Sequence, residues 1–474
     1  MNKTFWYLSP TIISGILGIL SIPLLTAYLS VEEFGLIELF MLMLTLFAYL
    51  FGFGWDSSFV RFYNDKECDK KNIVFTTLIF RLFVHIMILL MCLVASDTIL
   101  KIINIEQVYA QILWVLVFVY ILEDYINLTL LIFRSNNMAK HFGLLKVNQN
   151  VIRFLILVIS LVLLNIGLYS VFYSLFISTF LMFFYVLYVL KDYAKVYKLI
   201  YVVDNLKNMI FFGSPLVFAA VSFFIINYSD RYMLNFLLEK EIGLREVGLY
   251  SFYSKIAAAV LMFSIVFKMV WAPMIYKYYS YIQYKRVFRY LIEFFVLLIL
   301  VLSIISSFFS NEILNIFTFN DDYLFKYNSL SLIFAIQLLI LIGDYAPIGI
   351  GIKKKNKYRA YIGLLSASLN ICLNFILIPL YELNGALMAS FISMLCYVII
   401  LNILANKLYF IKYNNGLFFI GISMILSGFF ISTLVMIYKI FLIIGYFIYL
   451  GFILYKNRSK YILVYKILKK ESIL

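Results

Sequence analysis

"EDYINLTLLIFRSNNMAKHFGLLKVNQN" (Glu123–Asn150) and "GDYAPIGIGIKKKNKYRAYIGLLSASLN" (Gly343–Asn370) align without a gap at an offset of 220 residues. Asp124-Tyr125 meets Asp344-Tyr345, Asn136 meets Asn356, Gly143-Leu144-Leu145 meets Gly363-Leu364-Leu365, and Asn150 meets Asn370. Apolar chains align Leu and Ile by chance. They do not readily align Asp-Tyr, Gly and Asn in one register. A looser match joins "EFGLIELF" (Glu33–Phe40) to "EVGLYSFY" (Glu246–Tyr253), offset by 213. Such self-similarity marks an internal duplication.

The duplicated units lie in a membrane chain. Of the 474 residues, 65% are hydrophobic and 13% charged, whereas a soluble domain is about half apolar and about a quarter charged. Apolar runs of about 20 residues span a bilayer, and the chain holds about fourteen of them. They start near residues 9, 36, 73, 108, 147, 168, 209, 247, 290, 327, 361, 384, 416 and 440. Alternate loops carry "RFYNDKECDKK", "KDYAKVYKLI", "KYYSYIQYKRVFR", "KKKNKYR" and the tail "KNRSKYILVYKILKK". The others carry "VEEFG", "NDD" and "YELNG". About 30 of the 39 basic residues fall on the first side, which places that side and both termini in the cytoplasm. The net charge of +15 is thereby a topology signal, and no nucleic-acid partner is needed to explain it.

Six spans separate equivalent positions of the repeat. Six is even, so the two units share one orientation, related by an axis along the membrane normal. The expected fold is all-α and polytopic: two six-helix lobes in parallel-repeat relation plus two further C-terminal helices. The expected boundaries are 1–208 (helices 1–6), 209–405 (helices 7–12) and 406–474 (helices 13–14 and a basic tail).

Several chemistries are excluded. Cys68, Cys92, Cys372 and Cys396 are scattered, and His85 and His141 are too few for a metal cluster. No Gly-Lys pair exists to form a Walker A loop. No cofactor is expected. The first apolar run has no small-residue cleavage site behind it, so a removed signal peptide is not expected.

Charged residues inside spans face a bundle interior or a watery cavity. They are Arg81, Asp124, Arg153, Lys255 and Asp344. Asp124 and Arg153 lie on adjacent helices and can pair. Arg81 and Lys255 have no obvious sequence neighbour. Arg81, Arg153 and Lys255 are the candidates for an anionic substrate, since guanidinium forks suit phosphate. Asp124 and Asp344 are candidates for ion coupling. Asn150 and Asn370, with Asn148, Gln149 and Asn374, either join helices by hydrogen bonds or line the route of a sugar. In "INYSDRYMLNFLL" (Ile226–Leu238), Asp230 and Arg231 are expected at the outer end of the seventh span, as a structural clamp.

"GSPLVFAAVSFFIINYSDRYMLNFLLEKEIGLREVGLYSFYSKIA" (Gly213–Ala257), "SLNICLNFILIPLYELNGALMASFIS" (Ser368–Ser393) and the opening "TIISGILGILSIPLLTAYLSVEEFGLIEL" resemble the bacterial polysaccharide flippases. Those are the O-antigen and capsule repeat-unit translocases, relatives of the multidrug and toxin extrusion exporters. One departure stands out. The family pattern IPxxGxxGA has Glu382 in place of its first glycine. The resemblance implies a transporter, not an enzyme, that moves an undecaprenyl-diphosphate-type lipid-linked oligosaccharide across the bacterial inner membrane by alternating access. It would work as a monomer among membrane lipids, beside the polysaccharide polymerase machinery, with Arg81, Arg153 and Lys255 in a basic cavity. A small-molecule exporter of the same fold is the alternative. A polyprenyl-dependent glycosyltransferase or polymerase is disfavoured, because the outer loops, longest near Ser229–Glu246 and Asn311–Lys326, are short.

Overall fold

The computed structural model describes residues 3–65, 68–193, 199–279, 281, 284–345, 347–353, 355, 357–411, 415–431, 436–456 and 458. Most of the basic C-terminal tail read from the sequence lies outside them. The described residues form helices and no strands. This follows from the solvent, since in lipid each backbone polar group must find its partner within the chain.

The first helices are α1 (Lys3–Tyr28), α2 (Val31–Phe51), α3 (Trp55–Tyr63), α4 (Lys70–Ile102), α5 (Ala110–Ser135), α6 (Ala139–Val158), α7 (Tyr169–Leu190) and α8 (Leu199–Leu237). They continue as α9 (Lys240–Tyr278), α10 (Tyr284–Phe308), α11 (Ser310–Phe317), α12 (Ser329–Tyr345), α13 (Ile348–Ile352), α14 (Lys357–Leu408), α15 (Asn415–Ile431) and α16 (Met436–Lys456). Nine stretches of the described residues are long and apolar enough to cross a membrane. One of them is α14, whose backbone breaks at Glu382 (φ 51°, ψ −126°), so it holds two helices. Each span start read from the sequence falls on one of these helices to within about two residues, the usual uncertainty of a helix end.

The described chain divides into two compact units, Met1–Ser251 and Phe252–Leu474. In the first, α6 packs against α1 and α7, α5 against α7, and α8 against α2, α3 and α4. In the second, α12 lies among α10, α14 and α15.

Local chemistry explains the breaks. Helix α2 opens on a capping box, in which the Glu33 amide donates to Ser30 Oγ (3.2 Å) and the Ser30 amide to Glu33 Oε2 (2.9 Å). It ends at Gly52-Phe53-Gly54. Gly54 has φ +61°, and a Cβ there would overlap the Gly213 carbonyl oxygen of α8. The chain therefore turns tightly against α8 and restarts as α3.

The looser repeat pair also meets in space. Gly35 of "EFGL" and Gly248 of "EVGL" face each other where α2 crosses the start of α9. A Cβ on Gly35 would overlap the Leu244 carbonyl, and one on Gly248 the Val31 carbonyl. Small residues at such crossings let two backbones approach.

One boundary differs from the sequence reading. The stretch Ser229–Glu246, expected as an outer loop, is helical except around Leu238-Glu239. Helix α8 runs on because its end is anchored. Asn235 Nδ2 donates to the Ile103 carbonyl (2.8 Å), Asn104 Nδ2 to the Asn235 carbonyl (2.7 Å), and Lys240 pairs with Glu106 (2.8 Å).

Candidate functional site

The first unit encloses a cavity of about 680 Å³. Its walls come from α2 to α8, and six ionisable side chains line it: Asp56, Arg81, Glu123, Asp124, Lys146 and Arg153. Tyr49, Trp55, Tyr120 and Asn127 add polar and aromatic surface.

Helix periodicity places these groups. Glu123 and Asp124 are neighbours on α5, so they project about 100° apart and serve different helices. Asp124 turns to α4. Its Oδ1 is 2.9 Å from Arg81 Nη1 and its Oδ2 is 3.1 Å from His85 Nε2. Arg81 and His85 stand four residues apart on one face of α4. Arg81 Nη1 also donates to the Asp124 backbone carbonyl, and Nη2 reaches Asp56 Oδ1 at 2.8 Å. Glu123 turns to α6. Lys146, Gln149 and Arg153 sit there at i, i+3 and i+7, a single stripe. Arg153 Nη2 is 3.1 Å from Glu123 Oε1, Gln149 Nε2 donates to the same oxygen at 2.7 Å, and Lys146 Nζ is 3.6 Å from Oε2.

The cavity thus holds two ionic groups, Asp56–Arg81–Asp124–His85 and Glu123–Arg153–Lys146. This departs from two sequence readings. Arg153 pairs with Glu123 rather than with Asp124, because α5 directs Glu123 towards α6. Arg81, without a partner in sequence, has two carboxylates in space. Its side chain is 4% exposed, against 59% for Asp56.

The other candidates lie elsewhere. Asn150 is half-buried on α6, outside the cavity lining. Lys255 is half-buried on α9, in the second unit, and Asp344 is exposed near the end of α12. Asn370 is buried on α14 and donates to Ser390 Oγ (3.1 Å), while Asn374 donates to Asn370 Oδ1 (3.0 Å). The first bond joins the two halves of α14 across the break at Glu382, and the second lies within its first half.

Asp230 and Arg231 are buried within α8, seven and six residues before its end rather than at it. Tyr250 Oη donates to Asp230 Oδ2 (3.1 Å). Arg231 Nε lies 3.7 Å from Glu38 Oε1, and its guanidinium lies 4.3 Å from the Tyr250 ring centre. The pair ties α8 to α2 and to the start of α9.

Sequence reasoning missed Asp56, Glu123, Lys146 and His85 as site members. The i, i+3, i+7 stripe on α6 and the i, i+4 pair on α4 were signals for Lys146 and His85, and Glu123 was visible only as the neighbour of Asp124. Asp56 had none, since only the turn at Gly52–Gly54 brings it to Arg81.

The architecture is that of known transporters. The lipid II flippase MurJ in an inward closed conformation superposes with a TM-score of 0.75 at 16% identity, over 95% of this chain and 98% of that one. An inward-facing multidrug resistance MATE family transporter of the MOP superfamily gives 0.62 at 16%, over 86% and 94%. An outward-facing one gives 0.57 at 16%, over 85% and 95%. These likenesses establish the fold, a multi-pass membrane transporter fold. No curated protein matches by sequence. Residues 1–279, more than half the chain, match the profile of the polysaccharide biosynthesis proteins, and the chain belongs to that family.

Proposed function

We propose that this protein is a flippase, not an enzyme, that carries a polyprenyl-diphosphate-linked oligosaccharide across the bacterial cytoplasmic membrane by alternating access, for O-antigen, capsule or a related surface polysaccharide. The carrying observation is the polar, charge-lined cavity of about 680 Å³ inside an otherwise apolar helical unit. Charged groups in a membrane interior mark a substrate path. A glycan headgroup needs such a polar refuge, while its polyprenyl tail can stay in lipid. Arg153 and Lys146, about a third exposed and paired with Glu123, are the more exposed cations of this cavity, and Lys255 is the candidate in the other unit. Asp124 and Asp344 are the proposed ion-coupling residues. Substitution of each by Asn should remove any dependence of transport on the ion gradient.

The carboxylates of the cavity also favour a second reading, a MATE-like exporter of small cations. Deleting the gene in its host separates the two. Loss of surface glycan with repeat units held on the cytoplasmic leaflet is the flippase outcome. Loss with units already outside would indicate a polymerase. An intact glycan with new drug sensitivity would indicate the exporter.

A further inference from the structure

The charges of the cavity carry this reading one step further, and the step rests on it. Three carboxylates and three cations line the cavity, so it is formally neutral. Each cation lies within 4 Å of a carboxylate. Arg81 is sealed, with both terminal nitrogens engaged. The most open of the charged groups is an acid. Asp56 spends Oδ1 on Arg81, and its side chain is otherwise exposed.

Two neutral groups stand with it. Asn127 lies one turn beyond Glu123 on α5, is exposed and lines the cavity. Its side chain makes no hydrogen bond among the described residues. Tyr49 of α2 adds a half-buried ring. A carboxylate accepts from sugar hydroxyls, an amide both donates and accepts, and a ring packs on the apolar face of a pyranose. A diphosphate would instead meet Asp56 with the neighbouring cations already neutralised, and like charges brought together are strongly unfavourable.

We infer that the cavity of the first unit is a saccharide subsite for uncharged or amino sugars, not the seat of the diphosphate. Asp56 and Asn127 bind hydroxyls there, and Arg81 is a positioning residue that holds Asp56. The subsite selects against acidic sugars.

The test uses the purified full-length protein in lipid nanodiscs. The probes are two synthetic polyprenyl-diphosphate trisaccharides, identical except that the terminal sugar is glucose or glucuronate, and the sugar-free polyprenyl diphosphate. The glucuronate probe should bind about tenfold more weakly than the glucose probe, as like-charge repulsion demands. Asp56→Asn should abolish that difference. Asn127→Ala breaks no ion pair, so its folding is not in question. It should weaken the glucose probe about fivefold, the value of one hydrogen bond, without weakening the sugar-free lipid. Equal or tighter binding of glucuronate by the unaltered protein overturns the inference. So does Asn127→Ala weakening the sugar-free lipid as much as the trisaccharide, or weakening neither. If none of the three probes binds, the flippase reading itself falls.

Discussion

Within the Asp-Tyr motif the two copies of the repeat differ at one residue. In the first unit the motif reads Glu123-Asp124-Tyr125, and in the second Gly343-Asp344-Tyr345. Glu123 faces Arg153, Lys146 and Gln149 on α6. At the same offset the second unit has Leu373, Ser366 and Leu369. Ser366 has turned to helix joining and donates to the Ser393 carbonyl at 2.6 Å. Gly343, with no side chain, lets the α14 surface close in, and a Cβ there would sit 3.3 Å from Tyr397 Cε1 and 3.4 Å from Val398 Cγ2. The tyrosines follow suit. Tyr125 packs on His85 (5.1 Å between ring centres), Tyr345 on Phe295 (5.5 Å). The acid Glu123 stands where α6 supplies cations, and glycine stands at the matching position where the chain supplies none. That is expected if an unpaired buried charge costs far more than a paired one returns.

The sharpest way to break this comparison is Arg81→Ala. It leaves Asp124 facing only His85 and should cost about 3–5 kcal/mol, the usual penalty for removing one partner of a buried pair. Thermal unfolding of the purified protein would show it, and cellular protein levels should fall along with glycan display. Arg81→Lys should recover only part, because a single ammonium cannot fork between Asp56 and Asp124. An unchanged melting temperature for Arg81→Ala would end the claim that charge holds this unit together.

Glu123→Ala should cost less, about 2 kcal/mol, mainly by leaving the buried Gln149 amide without its acceptor. Arg153 and Lys146 remain partly solvated and tolerate the loss. A double substitution with Gln149→Leu, which places the second unit's leucine at this position, should return most of the stability. If the double variant melts no higher than Glu123→Ala, the two copies differ for another reason.

The second unit offers a test of opposite sign. Glu382 occupies the family's glycine position, and its φ of 51° with ψ of −126° is a region suited to glycine. Its side chain pairs with Lys326 across α14 and the segment before α12, a partly exposed contact worth about 0–1 kcal/mol. Glu382→Gly should therefore stabilise the protein by about 1 kcal/mol, since the relief of strain exceeds the lost pair. Glu382→Ala keeps the strain, loses the pair, and should destabilise. Both are read from melting temperatures, and the same sign for both would refute the strain argument. Smallest of all, Gly343→Ala should change stability by less than about 1 kcal/mol, because the gain in helix propensity opposes the tight contact with Tyr397.

Much of this was legible beforehand. Span count and helix order follow from the length of apolar runs, which the bilayer fixes. The duplication was visible because Asp-Tyr, Gly and Asn keep their spacing in an apolar background. The charged residues of α4, α5 and α6 were visible as interior candidates. Their pairing was not. Which carboxylate meets Arg153 depends on the rotation of α5, and a shift of one residue turns the side chain by about 100°. The position of Asp56 depends on a turn that only the contact between Gly54 and α8 explains. Where α8 ends was hidden too, because polar Asp230 and Arg231 look like a terminus until Glu38 and Tyr250 are seen beside them.

The Arg81 group also bears on how the chain is made. An arginine at the centre of a helix costs about 2.5–3.5 kcal/mol at membrane insertion. Asp56 precedes Arg81 by 25 residues and is already synthesised when α4 emerges, whereas Asp124 follows 43 residues later. At about 5–20 residues per second, α4 waits a few seconds for its second carboxylate. During that interval Asp56, already synthesised 25 residues upstream, is the counter-ion at hand. The contacts of Arg81 with α3 and α5 therefore lead us to expect α3, α4 and α5 to settle in the bilayer together, with α4 depending on its neighbours rather than entering as an independent span.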